Sequence, residues 1–390
     1  MRFEDTKTAY SLKTDRELYK AYLLFKIFSK KLLVQVGGKL TLLLIRFGLP
    51  LNAFFKKTVF FQFCAGDNEN DALKRVDSLS KLNVSSYMHY AAEDQKTERG
   101  MDESMKRVLK IFSISKSNES LPFTVFKPTA FGPVNLFQKK AKGEQLNQEE
   151  SMAWDRAIDR INRCCEYVKK EGVRLLIDAE ESWLQNAIDM IALELMRKYN
   201  TTKTPLIFNT TQMCRKDRLP YLESLIYTAK KEGFQIGIKL VRGAYMETEQ
   251  KRALEKGYPS PICDSKNATD QNFNAALELL LSNLDQCELF LGSHNEESIL
   301  KVVHWMKEKE LPANYSKIWF SQLYGMADHI SFNLAAAGYQ VVKYLPYGPI
   351  KEVIPYLIRR AEENTSIHGQ TPRELKLIKK ELKRRKAKVN

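Results

Sequence analysis

The sequence predicts an α/β protein, a (βα)8 barrel behind an N-terminal helical region. Three observations predict it. Eight short apolar runs alternate with long amphipathic stretches over most of the 390 residues. The runs are rich in Val, Ile, Leu and Phe without strict alternation, as parallel strands buried on both faces require. No GxGxxG follows any of them, which removes support for an open sheet carrying a dinucleotide fingerprint.

The elements follow in order. Residues 1–83 read as a helical region, with segments at 17–33, 40–55 and 72–82. The 40–55 stretch is interrupted by Arg46, Gly48 and Pro50. It falls short of the roughly 18–20 clean apolar residues that a spanning helix needs. The strand-like runs are 84–90, 123–127, 173–178, 206–209, 235–241, 289–293, 318–322 and 341–345. Between them, Trp154, Ile158, Ile161, Cys165 and Val168 recur at helical steps, as do Leu184, Ala187, Ile188, Ile191 and Leu195. Gly172 and Gly233 stand just before strands as left-handed stops. The barrel is expected over 84–370 and a basic C-terminal tail over 371–390. In that tail Leu375, Ile378 and Leu382 recur at three and four among basic residues, an amphipathic helix suited to an anionic surface.

Charge adds little about partners. The chain carries 62 Lys+Arg against 47 Asp+Glu, net +15. Residues 372–390 hold nine basic and two acidic residues, so +7 is local and only +8 remains for the body. No nucleic-acid partner is expected. Six cysteines form no CxxC pair, which suggests neither structural zinc nor a disulfide scaffold, and points to a reducing, intracellular setting. The opening MRFEDTKTAY lacks a signal-peptide core, and its early acids argue against a transit peptide.

A barrel places its chemistry at the C-terminal ends of its strands. Polar groups recur there: Lys127; Asp178 with Glu180 and Glu181; Asn209 with Gln212; Lys239, Arg242 and Tyr245; Ser293 and His294; Gln322; and Tyr344. Further along, Tyr356, Arg359, Arg360 and Glu363 stand at i, i+3, i+4 and i+7, on one helical face. This is either a solvent face of ion pairs or a guanidinium pair held by Glu363 and aimed at a carboxylate or phosphate. Of five histidines only His294 ends a strand, no HxH or HxxxH occurs, and no metal site is expected. Lys127, Lys239 and Lys343 keep Schiff-base chemistry open.

The segments LLIDAEE, KLVRGAY, GSHN, QLYGM and KYLPYGPIKEVIPYLIRRAEEN, in this order and spacing, resemble the FAD-dependent proline dehydrogenase family, in its monofunctional form. The resemblance runs from about residue 62 to residue 366. It implies a TIM-type barrel whose last helix lies over the strand C-terminal face. It also implies oxidation of L-proline to 1-pyrroline-5-carboxylate, by hydride transfer to the flavin N5 of FAD, with electrons passed to a membrane quinone. By the same resemblance Arg359 and Arg360 bind the substrate carboxylate beside Lys127, and Asp178 supports that network. Tyr245, Leu323, Tyr344 and Tyr356 wall the ring, and Tyr344 favours proline over hydroxyproline. Flavin contacts fall to Asn209, Lys239, Val241, Arg242, Gly243, Ala244, His294 and Glu363. No general base is assigned. Peripheral membrane contact is expected, with a cytoplasmic location for a bacterial source and a mitochondrial one for a eukaryotic source. The rival readings are a Schiff-base aldolase using Lys127 or Lys239 on the same barrel, and a basic non-enzymatic scaffold binding RNA or membrane.

Overall fold

Parallel strands must be joined by long crossovers, and the alternation of apolar runs with helical stretches supplies them. The computed structural model describes residues 2–30, 56–91, 97–366 and 370–387, apart from the side chains of residues 57, 355, 359, 361–366 and 370. The 40–55 stretch read as helical lies outside the described residues. Eight parallel strands are ordered β1-β8-β7-β6-β5-β4-β3-β2, and the chain is a (βα)8 barrel with helices ahead of it. The strands are β1 (Val84–Tyr90), β2 (Phe123–Phe126), β3 (Arg174–Ile177), β4 (Ile207–Gln212), β5 (Ile236–Val241), β6 (Cys287–Gly292), β7 (Ile318–Leu323) and β8 (Val341–Tyr347). Each coincides with a run read from the sequence. β4 extends to Gln212, beyond the expected 209, because Thr211 and Gln212 pair with Leu240 and Val241 of β5.

The chain divides into two compact units. One, Glu93–Ser293 with Tyr315–Trp319, holds β2 to β6. Its interior is aromatic: the Phe123 ring meets Phe208, Phe290 and Trp319 edge-on at 5.5, 4.8 and 5.1 Å between centroids. Gly237 is required beside it, since a Cβ there would lie 2.5 Å from the Phe208 ring. Arg174 pairs with Glu288 at 2.6 Å in the same layer. Burial pushes the Glu288 carboxyl up to about 7, with Arg174 opposing. The long helix α3 (Gln148–Glu171) starts at an Asn147–Glu150 capping box and ends on Gly172 at φ 69°, as the sequence indicates.

The other unit, Met1–Ala92, His294–Asn314 and Phe320–Asn390, holds the paired β1 and β8 and the helices of both termini. Helix α1 (Asp15–Phe28) begins two residues before the expected 17, fixed by a Thr14–Glu17 capping box. Helix α2 (Glu69–Ser80) begins three before the expected 72, on the Asn68 cap. The C-terminal segment is helical over Gln370–Lys386 and packs on Asp15–Phe28. Of the apolar face expected to meet a membrane, Ile378 is buried and Leu375 and Leu382 are half-buried, with Leu377 buried beside them. Buried Glu374 accepts from the Ala327 N–H at 2.5 Å, and Arg385 donates to the carbonyls of Tyr10 and Lys13 at 2.8 Å each. Arg373 and His329 both reach Glu296, at 2.7 and 3.0 Å.

Burial alone would raise Glu296, but hydrogen bonds from His329 and Arg373 outweigh it and bring the carboxyl down to about 2 from 4.5. A depressed carboxylate stabilises the fold fully above its unfolded value and loses that contribution as pH falls through the folded value. Denaturant titrations of the native chain should therefore show stability declining between about pH 4.5 and 2, on the order of 1–3 kcal/mol from this group. Glu296→Gln should flatten that part of the pH profile; an unchanged slope would refute the assignment.

Candidate active site

The period of two along a strand decides which polar side chains share a face. In the unit holding β2 to β6, β3 is followed by Asp178, whose Oδ1 accepts from the Lys239 Nζ of β5 at 2.5 Å. Both side chains are largely buried, at 14% and 10% exposed, so the pair is held in a low-dielectric setting. Lys127, after β2, donates to the Tyr245 hydroxyl at 3.3 Å and lies 3.5 Å from Glu180. Glu180 also accepts from Thr129 at 2.7 Å and from Tyr245 at 3.4 Å. Lys127 thus meets Glu180, a residue the sequence marked only as ending a strand, while Asp178, expected to support the Lys127 network, meets Lys239. Burial raises the Tyr245 phenol, and the neighbouring Lys127 opposes the rise.

A strap follows β5. Val241 accepts from the Met213 N–H at 2.8 Å and Arg242 from the Cys214 N–H at 2.6 Å. Gly243 takes a φ of 128°, and a Cβ there would stand 2.3 Å from the Cys214 sulfur, so no other residue fits. The Ala244 N–H donates to Gln212 Oε1 at 3.1 Å, while Gln212 Nε2 donates to the Glu180 carbonyl at 2.8 Å. Arg242 donates to Asp270 at 2.8 Å and Ser293 at 3.2 Å and stacks 4.1 Å over the Phe273 ring. Burial would raise Asp270, but hydrogen bonds from Lys266 and Arg242 hold it below the usual carboxylate range.

Asn209 is set apart from this group. It is wholly buried and donates to Asp189 and Tyr221, on the helices Ser182–Tyr199 and Arg218–Glu232, at 2.8 and 3.0 Å. Its side of β4 faces the helices, whereas Gln212 meets the strap. Strand parity was the available signal: Thr210 is opposite Lys239 and Gln212 opposite Val241.

In the unit holding β1 and β8, the Tyr344 hydroxyl lies 2.6 Å from His89 Nδ1, and its ring meets Tyr87 at 5.1 Å and Tyr356 at 6.3 Å. The Arg360 guanidinium stands 5.3 Å from the Tyr356 centroid. These last two belong to the helix Ile350–Ser366, which also meets the end of β1, where Tyr90 donates to Glu352 at 2.7 Å. The side chains of Arg359 and Glu363 lie outside the described residues. His294 Nε2 accepts from the Leu323 N–H at 3.0 Å and so fastens the end of β7. Lys343 is wholly buried and spent on Asp328 at 3.0 Å and the carbonyls of Leu323 and Met326, which makes it a strut and not a Schiff-base lysine. His89 was not singled out from the sequence, because it falls before the end of its strand.

A family model described as proline dehydrogenase matches residues 72–373. The chain belongs to the proline dehydrogenase family. It is an oxidoreductase of the proline dehydrogenase class. The carbapenem antibiotics biosynthesis protein CarD of Pectobacterium carotovorum subsp. carotovorum is 33% identical over 323 residues, 83% of this chain and 83% of that protein. Mitochondrial proline dehydrogenase 1 of Homo sapiens is 41% identical over 244 residues, 62% of this chain but only 40% of that protein. Proline utilization A from Bdellovibrio bacteriovorus superimposes with a TM-score of 0.72 at 20% identity, over 82% of this chain and 34% of that one, which speaks for the fold. Family membership sets aside the scaffold and aldolase readings.

Within this proline dehydrogenase fold the Asp178–Lys239 pair should be costly to break. Asp178→Ala removes the carboxylate that neutralises a buried ammonium, and should destabilise the protein by about 3–5 kcal/mol in denaturant unfolding. The double variant Asp178→Leu with Lys239→Met should recover most of that loss. Equal stabilities for wild type and Asp178→Ala would show the pair to be solvated.

Proposed function

We propose that the protein oxidises L-proline to 1-pyrroline-5-carboxylate with FAD as its cofactor and a membrane quinone as the final electron acceptor. The observation that carries this reading is the cluster of Arg360, Tyr356 and Tyr344. Aromatic faces beside a guanidinium suit a small apolar ring bearing a carboxylate. A carboxylate that leaves water needs charge-assisted bonds in return, and a planar fork provides them in fixed geometry. Holding it orients the ring and removes the entropy of a free encounter.

The donor chemistry at the end of β5 fits a flavin: two cations, Lys239 and Arg242, and a strap that only glycine permits at 243. Lys239, Val241, Arg242, Gly243 and Ala244 are the residues that would hold it, with Gln212 bracing the strap; Asn209, expected among the flavin contacts, is instead bonded to Asp189 and Tyr221. When bound, FAD supplies the two-electron oxidation. The chain's own part is to bind, orient and stabilise charge. Tyr245 and Leu323 are assigned to walling the substrate, Lys127 and Asp178 to the charge network around it, and, by the family resemblance, Arg359 to the substrate carboxylate and Glu363 to the flavin.

Among the described residues no helix is long and apolar enough to cross a membrane. Contact with an anionic surface is assigned to the exposed Lys376, Lys379 and Lys383 of the C-terminal helix, at about 1 kcal/mol each. Vesicle co-sedimentation that persists undiminished in high salt would refute this electrostatic mode.

The purified protein should be yellow and should bleach with L-proline; a colourless protein that turns over no proline would overturn the reading. Arg360→Met should remain folded and yellow but raise the KM for proline about 10- to 100-fold, the loss of one charge-assisted bond of roughly 1.5–3 kcal/mol. Arg360→Lys should restore only part of it, because a point charge lacks the fork.

A further inference from the structure

We propose that His89 is a positioning residue whose Nδ1 accepts a hydrogen bond from the Tyr344 hydroxyl and thereby fixes the Tyr344 phenol as a wall and hydrogen-bond acceptor for the substrate ring. The inference rests on the proposed function only in assuming that Tyr344 faces substrate.

The geometry is set by the backbone. β1 and β8 are paired in parallel with Tyr87 opposite Tyr344 and His89 opposite Pro346. Side chains two apart on a strand share a face, so Tyr87 and His89 point to the same side, and both touch the Tyr344 ring, at 5.1 and 5.6 Å between centroids. The O–Nδ1 separation of 2.6 Å is that of a short, well-formed bond. Tyr344 is 8% exposed and its ring is bounded by Tyr87 and Tyr356, so a lost hydroxyl bond would not be replaced freely by water.

A phenol has one proton and lone pairs to spare. When the neutral imidazole accepts a hydrogen bond through that proton, the Tyr344 oxygen turns only lone pairs toward any other neighbour. It can then accept from a substrate N–H, but has no proton to offer. The bond also stops rotation about the C–O axis and ties the ring to β1. Tyr356, which meets Tyr344 at 6.3 Å, carries Arg360 at 5.3 Å from its own ring, so the order imposed by His89 extends along a continuous row of side chains to the guanidinium. A wall held in this way favours a bare five-membered ring. A wall set loose can shift and make room for a ring hydroxyl.

The test is a double-mutant cycle on the flavin-loaded enzyme, read as KM, kcat and the ratio of kcat/KM for L-proline to that for trans-4-hydroxy-L-proline. His89→Phe keeps an aromatic ring but deletes the acceptor. It should raise the KM for L-proline about two- to tenfold, the worth of one hydrogen bond, with little change in kcat and a lower proline preference. Tyr344→Phe should shift the ratio in the same direction. The double variant should be no worse than the more impaired single variant, because both delete one bond. His89→Asn sets an amide oxygen near the place of Nδ1 and should recover most of the proline preference, which a role in packing alone would not do.

If Tyr344→Phe shifts the ratio and His89→Phe does not, the inference about His89 is overturned while the substrate reading stands. If neither shifts it, both fall. Additive effects in the double variant also overturn the inference. Should His89→Phe not fold, nitrogen NMR of the histidine-labelled native enzyme decides: His89 Nδ1 should be unprotonated and its resonance should move in Tyr344→Phe. A directly bonded proton on that nitrogen would refute the assignment.

Discussion

A parallel barrel sheet is covered on both faces, so every polar side chain carried on its strands must find a partner or bear the cost of lost solvation. That constraint organises this molecule. Lys239 meets Asp178, Arg174 meets Glu288, Lys343 meets Asp328, and Asn209 meets Asp189. Each pairing answers the same demand, yet the outcomes differ with position. Arg174 and Glu288 lie in the aromatic layer and are structural. Lys239 and Asp178 stand near the strand C-terminal ends, the face on which a (βα)8 barrel carries its chemistry. Two residues of the same type can thus be a strut and a candidate ligand, and only their place along the strand separates them.

The same constraint governs the loop after β7. Ala327 adopts a left-handed conformation at φ 49°, which costs a non-glycine residue roughly 1–2 kcal/mol. Its N–H is held by Glu374 of the C-terminal helix, and the nearby carbonyls of Leu323 and Met326 accept from buried Lys343. Burial lowers the Lys343 ammonium against the pull of Asp328, the carboxylate it meets at 3.0 Å and that Lys13 also approaches at 3.5 Å. The chain's two termini thereby brace the segment that carries Leu323. A helix that composition marks as a basic tail becomes part of the packing around the proposed substrate wall.

The family relationship and the geometry bear on different questions. Similarity to curated proline dehydrogenases assigns the enzyme class. The side chains speak to local chemistry: cations and a glycine strap follow β5, and an aromatic row from Tyr87 and Tyr344 to Tyr356 ends in the Arg360 guanidinium. The carboxylate is the feature of the proposed substrate that a single arginine can recognise, and the ring is the feature that tyrosine faces can shape.

The barrel was legible in the sequence because its signal is local. Apolar runs, helical steps and glycine stops at 172 and 233 each report on neighbouring residues, and the strands lie where the runs do. Most polar strand-end residues were legible for the same reason. The partner of each was not. That Asp178 binds Lys239, that Gln212 and not Asn209 meets the strap after β5, and that Leu377 and Ile378 are already covered all depend on register and packing between segments far apart in the chain. His89 is the sharpest case. Nothing near it in sequence marks it, and its bond to Tyr344 spans 255 positions. The sequence by itself determined the strands and the residue types at their ends. The tertiary structure alone decided which of those groups meet, because a hydrogen bond depends on separation in space and carries no trace in local periodicity.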